Sequence, residues 1–148
     1  MVANYDLSAP ISGSIYQNLE AGCPVVRKTR IIDFAEAVTL KGSNLVAGDS
    51  IKAMTFDAGS LVLAVYVRQV VAGTPSSTFS VGSAATSTLY VATVSADAVA
   101  QTMKSSTIGA SFFSSADYVN FTLGATPTLT GKVEVNALLL PIGTSLTR

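Results

Sequence analysis

Nine carboxylates, one thiol and no histidine are what this 148-residue chain offers for chemistry. The carboxylates are Asp6, Glu20, Asp33, Glu36, Asp49, Asp57, Asp97, Asp117 and Glu134. Glycoside hydrolysis needs two of them facing across a sugar-sized cleft. Asp49, Asp57 and Asp117 instead stand beside turn residues, where an aspartate accepts from nearby backbone N–H groups. They lack the ligand spacing of an EF-type calcium loop. Without histidine, the commonest general base, the Ser-His-Asp arrangement and histidine metal sites are all absent. Cys23 is the single cysteine, so it forms neither an intramolecular disulfide nor a CxxC pair. Beside Pro24 it reads as a small apolar residue. No GxGxxG or GxxxxGK[ST] run provides a phosphate cradle. The sequence predicts no catalytic residue, no cofactor and no metal, and hence a protein that is not an enzyme.

The binding chemistry is equally restricted. Nine basic residues balance nine acidic ones, leaving no field to attract a phosphate backbone, so nucleic acid is not an expected partner. Arg27, Lys28 and Arg30 form one basic cluster, followed at once by Asp33 and Glu36. This predicts a solvated or ion-paired edge. Docking to an acidic partner surface is the alternative. Carbohydrate surfaces display exposed aromatics, but there is no Trp here, and the Phe and Tyr residues fall mostly in predicted strands. The sequon Asn120-Phe121-Thr122 also lies in a predicted strand, so it is not expected to carry a glycan. No window reaches 18 consecutive apolar residues, and the N-terminus lacks a basic stretch followed by an apolar core. Folding in a cytoplasm, without membrane insertion, is the expectation.

Hydrophobic residues reach 49% while charged residues supply only 12%, against about 25% charge in a typical soluble domain. The surface must then be largely Ser, Thr, Asn, Gln and Ala, which suits a protein that stays assembled. The apolar residues come in strand-length pieces. Strands are predicted over Thr29 to Phe34, with Arg30, Ile32 and Phe34 on one side, then over Ala37 to Lys41 and Ser50 to Phe56. A turn at Asp57 to Ser60 leads into the longest strand, Leu61 to Val71. Its one face carries Leu61, Leu63, Val65 and Val67. Its other carries Val62, Ala64, Tyr66 and Val70. Val133 to Leu140 is similarly apolar on both faces. A strand apolar on both sides is covered on both, once by the core and once by another layer or subunit.

Between these lie a predicted hairpin loop at Gly73 to Ser77, a strand at Thr78 to Gly82 and a loop to Thr88. Leu89 to Val94 reads as strand or short helix, and Ala96 to Met103 as weakly helical. Thr107 to Phe113 and Tyr118 to Leu123 read as a hairpin across Ser114 to Asp117. Gly124 to Gly131 forms the last turn. Strands spaced this way predict an all-β fold, a single sandwich or a barrel, over residues 29–148. Residues 1–28 differ. Pro10, Gly13, Gly22 and Pro24 interrupt them, yet they carry Tyr5, Leu7, Ile11, Ile15, Tyr16 and Leu19. They read as an extended N-terminal arm lying on a surface, with a helical turn over Ile15 to Glu20.

From Ala47 to Leu138 the order of motifs resembles small β-rich virion proteins of tailed bacteriophages, of the capsid decoration (cement) type. The motifs are Ala47-Gly48-Asp49-Ser50-Ile51, Asp57-Ala58-Gly59-Ser60 before a long apolar strand, and Thr78-Phe79-Ser80-Val81-Gly82. Ser115-Ala116-Asp117-Tyr118-Val119-Asn120-Phe121-Thr122-Leu123-Gly124 and Thr130-Gly131-Lys132-Val133-Glu134-Val135-Asn136-Ala137-Leu138 complete them. The resemblance covers about two-thirds of the chain and leaves the arm outside it. It implies a jelly-roll-like sandwich, self-association with a trimer favoured, and attachment to the major capsid protein of a shell in the virion. Head-fibre and tail components carry similar motifs and form the alternative, with a carbohydrate or host-surface module as a further one. The residues expected at interfaces are Tyr5, Leu7, Ile11, Ile15, Tyr16 and Leu19 of the arm, and Val62, Tyr66, Val70, Leu138 and Leu140 of the doubly apolar strands.

Overall fold

The computed structural model describes residues 4–6, 15–17, 25–97, 111–113 and 115–141. Among them are ten strands and one helix: β1 (Asn4–Asp6), β2 (Ile15–Gln17), β3 (Val25–Asp33), α1 (Phe34–Lys41), β4 (Ser50–Phe56), β5 (Ser60–Val71), β6 (Thr78–Gly82), β7 (Val91–Ser95), β8 (Ser111–Phe113), β9 (Asp117–Leu123) and β10 (Lys132–Pro141). One sheet runs β1-β4-β9-β6-β7 and the second β2-β3-β10-β5-β8. All neighbours are antiparallel except β1, which lies parallel to β4. The expected all-β sandwich is present.

From β3 onward the chain changes sheet at every step except the β6–β7 hairpin. That alternation places β3-β10-β5-β8 opposite β4-β9-β6-β7, the wrap of a jelly roll. β1 and β2 extend one edge of each sheet. β3 begins at Val25, ahead of the predicted start at Thr29 and of the expected arm boundary at residue 28. Ile15–Gln17 is strand, where a helical turn was expected. Three-residue pairing with Val25, Val26 and Arg27 fixes it.

Two expected hairpins are crossings instead. Residues 72–77 lead from β5 in the second sheet to β6 in the first, and β8 and β9 likewise belong to different sheets. Packed sheets lie about 10 Å apart. A few extended residues span that gap, so a short polar loop serves a reversal or a crossing equally well. The 72–77 crossing runs beside the one between β9 and β10. The Thr74 N–H donates to Thr128 Oγ1 at 3.1 Å, and the Leu129 N–H to Thr74 Oγ1 at 2.8 Å. Gly131 adopts φ +97°, and a Cβ there would stand 2.6 Å from the Gly73 Cα. Only glycine fits that close approach.

Residues 37–41, expected as a strand, belong to α1. Asp33 caps the helix by accepting from the Ala35 N–H at 3.0 Å. Gly42 ends it with φ 72° and an N–H shared between the Val38 and Thr39 carbonyls. The signals were local: an N-cap aspartate with Glu36 three residues on, then glycine after Lys41. α1 closes one end of the sandwich. Phe34 is buried, its ring centroid 5.8 Å from that of Phe79, which lies 5.3 Å from that of Phe121. Burying each such ring contributes about 2–3 kcal/mol. Lys41 ties the helix to the start of β4 through a 2.6 Å ion pair with the fully buried Asp49, which also accepts from the Val46 N–H. Asp49 thus holds backbone as its turn context predicts, and has a cation besides. Residues 89–94, whose pattern fits strand or short helix, end in strand β7. Most of the weakly helical 96–103 segment lies outside the described residues.

Candidate interaction surface

Strand alternation decides which side chains of the second sheet face away from the core. β3 sends Val26 and Ile32 inward, so Arg27, Thr29 and Ile31 face outward. The predicted basic cluster is thereby split. Arg27 is on the outer face, while Lys28 turns to the other side, its Nζ donating to the Thr55 carbonyl of β4 at 2.9 Å. β10 places Glu134, Asn136 and Leu138 beside Ile31, Thr29 and Arg27 respectively. On its other flank β10 aligns those three residues with Arg68, Tyr66 and Ala64 of β5.

The expected faces of β5 hold only in part. Between Leu138 and Leu139 the register to β5 shifts, so that Leu63 has no partner and Ala64 and Val62 pair with consecutive residues. Such a bulge reverses the alternation on either side of it. Val62 and Val65 therefore both face the core, and Val62 is 1% exposed. Its assignment to an outer interface is corrected. Tyr66 stays outward and half-buried, as do Leu138 and Leu140. Val70 falls at a second register shift and is 37% exposed. Tyr5 pairs with Ile51 at the edge of the first sheet, and Ile15 and Tyr16 with Arg27 and Val26 at the edge of the second. Leu7, Ile11 and Leu19 lie outside the described residues.

A polar network, not foreseen from the sequence, organises this outer face. Asn136 is only 3% exposed. Its Oδ1 accepts from Arg27 Nε at 3.0 Å, Arg27 Nη2 at 2.6 Å and Thr29 Oγ1 at 2.7 Å. Its Nδ2 donates to Glu134 Oε1 at 2.7 Å, and the other Glu134 oxygen accepts from Arg68 at 2.7 Å. The Asn136 hydrogen bond holds the Glu134 carboxyl below its ordinary range, burial opposes this, and the Arg68 guanidinium assists. At the far end Lys132 pairs with Asp33 at 2.9 Å and lowers that carboxyl likewise. An asparagine between two apolar residues in a strand gives the only sequence signal of this hub, and its partners come from β3 and from β10 itself.

Beside the network opens a groove of about 330 Å³ lined by Arg27, Tyr66, Asn136 and Leu138. Its walls are apolar on the Tyr66 and Leu138 side and cationic at Arg27. Such a surface can seat an apolar side chain next to a carboxylate. Elsewhere among the described residues, no group of three His, Cys, Asp or Glu side chains could hold a metal, and no helix is long and apolar enough to cross a membrane. Asn120 of the sequon is buried within β9. Phe34, Phe56, Phe79 and Phe121 are buried in the core, as their strand positions predicted.

Neither a family model nor a curated protein sequence matches this chain. Solved structures do match its fold. A chain of the Cyanophage Pam1 capsid asymmetric unit is similar at a TM-score of 0.58 and 20% identity, covering 90% of this chain and 91% of that one. A chain of the acidic stable capsid structure of Helicobacter pylori bacteriophage KHP30 is similar at 0.57 and 13% identity, covering 88% and 94%. At these identities the shared property is the jelly-roll sandwich.

Proposed function

We propose that this chain is a structural protein of a bacteriophage virion, a decoration protein that binds the outside of a capsid shell and stabilises it. The observation that carries the reading is the jelly roll itself, shared along nearly its whole length with chains found in two phage capsids. The motif order from Ala47 to Leu138 supports the same reading, and so does a surface poor in charge.

The mechanism is mechanical. A shell under internal genome pressure opens where subunit contacts break. A protein that bridges neighbouring subunits adds contacts that must break first. Many identical sites act together, so each contact can be modest. Residues 1–28 supply one contact surface toward the major capsid protein. The outer face of the second sheet supplies another, toward neighbouring copies in an oligomer for which a trimer is favoured.

The test is co-sedimentation of the purified chain with shells assembled without it, followed by gold labelling of the particles. Binding over the whole shell, together with a raised temperature of shell disruption, is the expected result. Label confined to a vertex or tail would replace decoration with a fibre or tail role. Absence of any binding would remove the virion reading.

A further inference from the structure

We propose that the groove at Arg27 receives helix α1 of a second copy of this chain, with Glu36 reaching Arg27 and Leu40 packing over Tyr66 and Leu138. The inference rests on reading the outer face of the second sheet as a contact between copies, and it names both sides of that contact.

Glu134 is neutralised by Arg68, Asp33 by Lys132 and Asp49 by Lys41. Arg27 has no carboxylate within ion-pair distance among the described residues. Its guanidinium is nevertheless fixed in place, because Nε and Nη2 both donate to the buried Asn136 oxygen. Arg27 lies close enough to Glu134 to help lower that carboxyl, but Glu134 is already in contact with Arg68. A fixed cation with no carboxylate in direct contact, at the mouth of an apolar groove, calls for an anion flanked by an apolar side chain.

The chain carries that combination once on its helix. Glu36 is exposed and has no cationic partner among the described residues. Leu40, one turn later on the same helix face, is 57% exposed, the highest value among the large hydrophobic side chains of the described residues. An apolar side chain this exposed beside an unpaired acid complements the groove in both charge and polarity.

One copy cannot satisfy itself. Arg27 and Asp33 are six residues apart along β3, about 20 Å. α1 starts beyond Asp33, and its last residue is tied to Asp49 just ahead of β4, so the helix stays at that far end. Groove and helix edge are different patches of one molecule, so their contact is head-to-tail. A head-to-tail contact that closes makes a ring, and the rotation between copies sets the number in it.

The experiment is the solution mass of the full chain by light scattering, for wild type, Arg27→Glu, Glu36→Arg, Leu40→Ser and the Arg27→Glu/Glu36→Arg double variant. Wild type is expected to be a multiple of one chain. Each single variant should weaken association about a hundredfold or more for the charge reversals, since they set like charges together. The double variant should regain the wild-type mass. Glu36 and Leu40 are exposed, so their variants test the contact with the fold intact, and circular dichroism verifies it. A monomeric wild type overturns the proposal, as does an oligomer that all three single variants leave unchanged. Shell co-sedimentation of wild type separates the two readings. A monomer that binds shells sinks this contact and leaves the decoration function standing. A ring broken by the single variants, with no shell binding by wild type, does the reverse.

Discussion

Arg27 and Asn136 stand 109 positions apart in sequence, yet two guanidinium N–H groups of one converge on the single side-chain oxygen of the other. β3 and β10 bring them together on the outer face of the second sheet. Asn136 sits nearly covered there, and it orients the cation that faces the groove.

Asn136→Ala should therefore do more than remove one hydrogen bond. Thr29 and Glu134 also lose a partner in a partly buried place. Leaving such groups unsatisfied costs about 1–3 kcal/mol each at most, and an overall loss of about 2 kcal/mol is expected. Urea unfolding followed by circular dichroism measures it. A loss within experimental error would mean that water replaces the network at no cost.

Stability should fall on the acid side. The Glu134 and Asp33 carboxyls are both held below their ordinary values of 4.5 and 3.8, the first mainly by Asn136 and the second mainly by Lys132. The unfolded chain then binds protons before the folded one does. The contribution of these groups is complete above the unfolded values and is lost as pH falls through the lower folded ones. Denaturation midpoints measured from about pH 7 down to about pH 3 should decline through that window. Glu134→Gln should make the decline shallower, and an unchanged slope would remove Glu134 as a contributor.

Val62 and Tyr66 share a strand but should respond oppositely. Val62→Ala removes core methyl groups from a side chain 1% exposed, and a loss of about 2 kcal/mol is expected. Tyr66→Ser should leave the midpoint within about 1 kcal/mol of wild type, as substitutions away from the core do. Its expected effect is on self-association, read as a lower mass in light scattering. The reverse pattern would place the bulge at Leu63 elsewhere.

Gly131→Ala tests the paired crossings. The substitution strains a backbone at φ +97° and sets a methyl group against Gly73. A destabilisation of about 1–3 kcal/mol is expected from the backbone conformation alone. Thermal unfolding reads it directly.

Deleting residues 1–20 should leave a folded domain. Among the described residues β1 and β2 each contribute three paired positions, both at sheet edges, while the eight strands from β3 onward complete the jelly roll. Attachment to shells should weaken. If the truncated chain unfolds, as seen by loss of its strand circular dichroism signal, the arm belongs to the core.

The main strands were legible in the sequence. Strand-length apolar runs at 50–56, 61–71, 78–82, 118–123 and 133–140, with turns between them, read as β structure; 78–82 and 118–123 alternate, while 61–71 and 133–140 are apolar on both faces. The sequence also determined that the four large buried Phe side chains would be core. Tertiary structure alone decided which sheet each strand joins. The loops at 73–77 and 114–116 carry the same polar residues whether they reverse a strand or cross to the facing sheet, so nothing local distinguishes the two. The phase of β5 was likewise decided by its pairing with β10, since the bulge at Leu63 exists only between two strands and moved Val62 into the core. Helix α1 lay between these cases: its caps were written locally in Asp33, Glu36 and Gly42, but the apolar residues of 37–41 fit either period. The Asn136 hub was the least legible. Its partners come from β3 and from β10 itself, and a hydrogen bond across 109 positions has no sequence pattern to announce it.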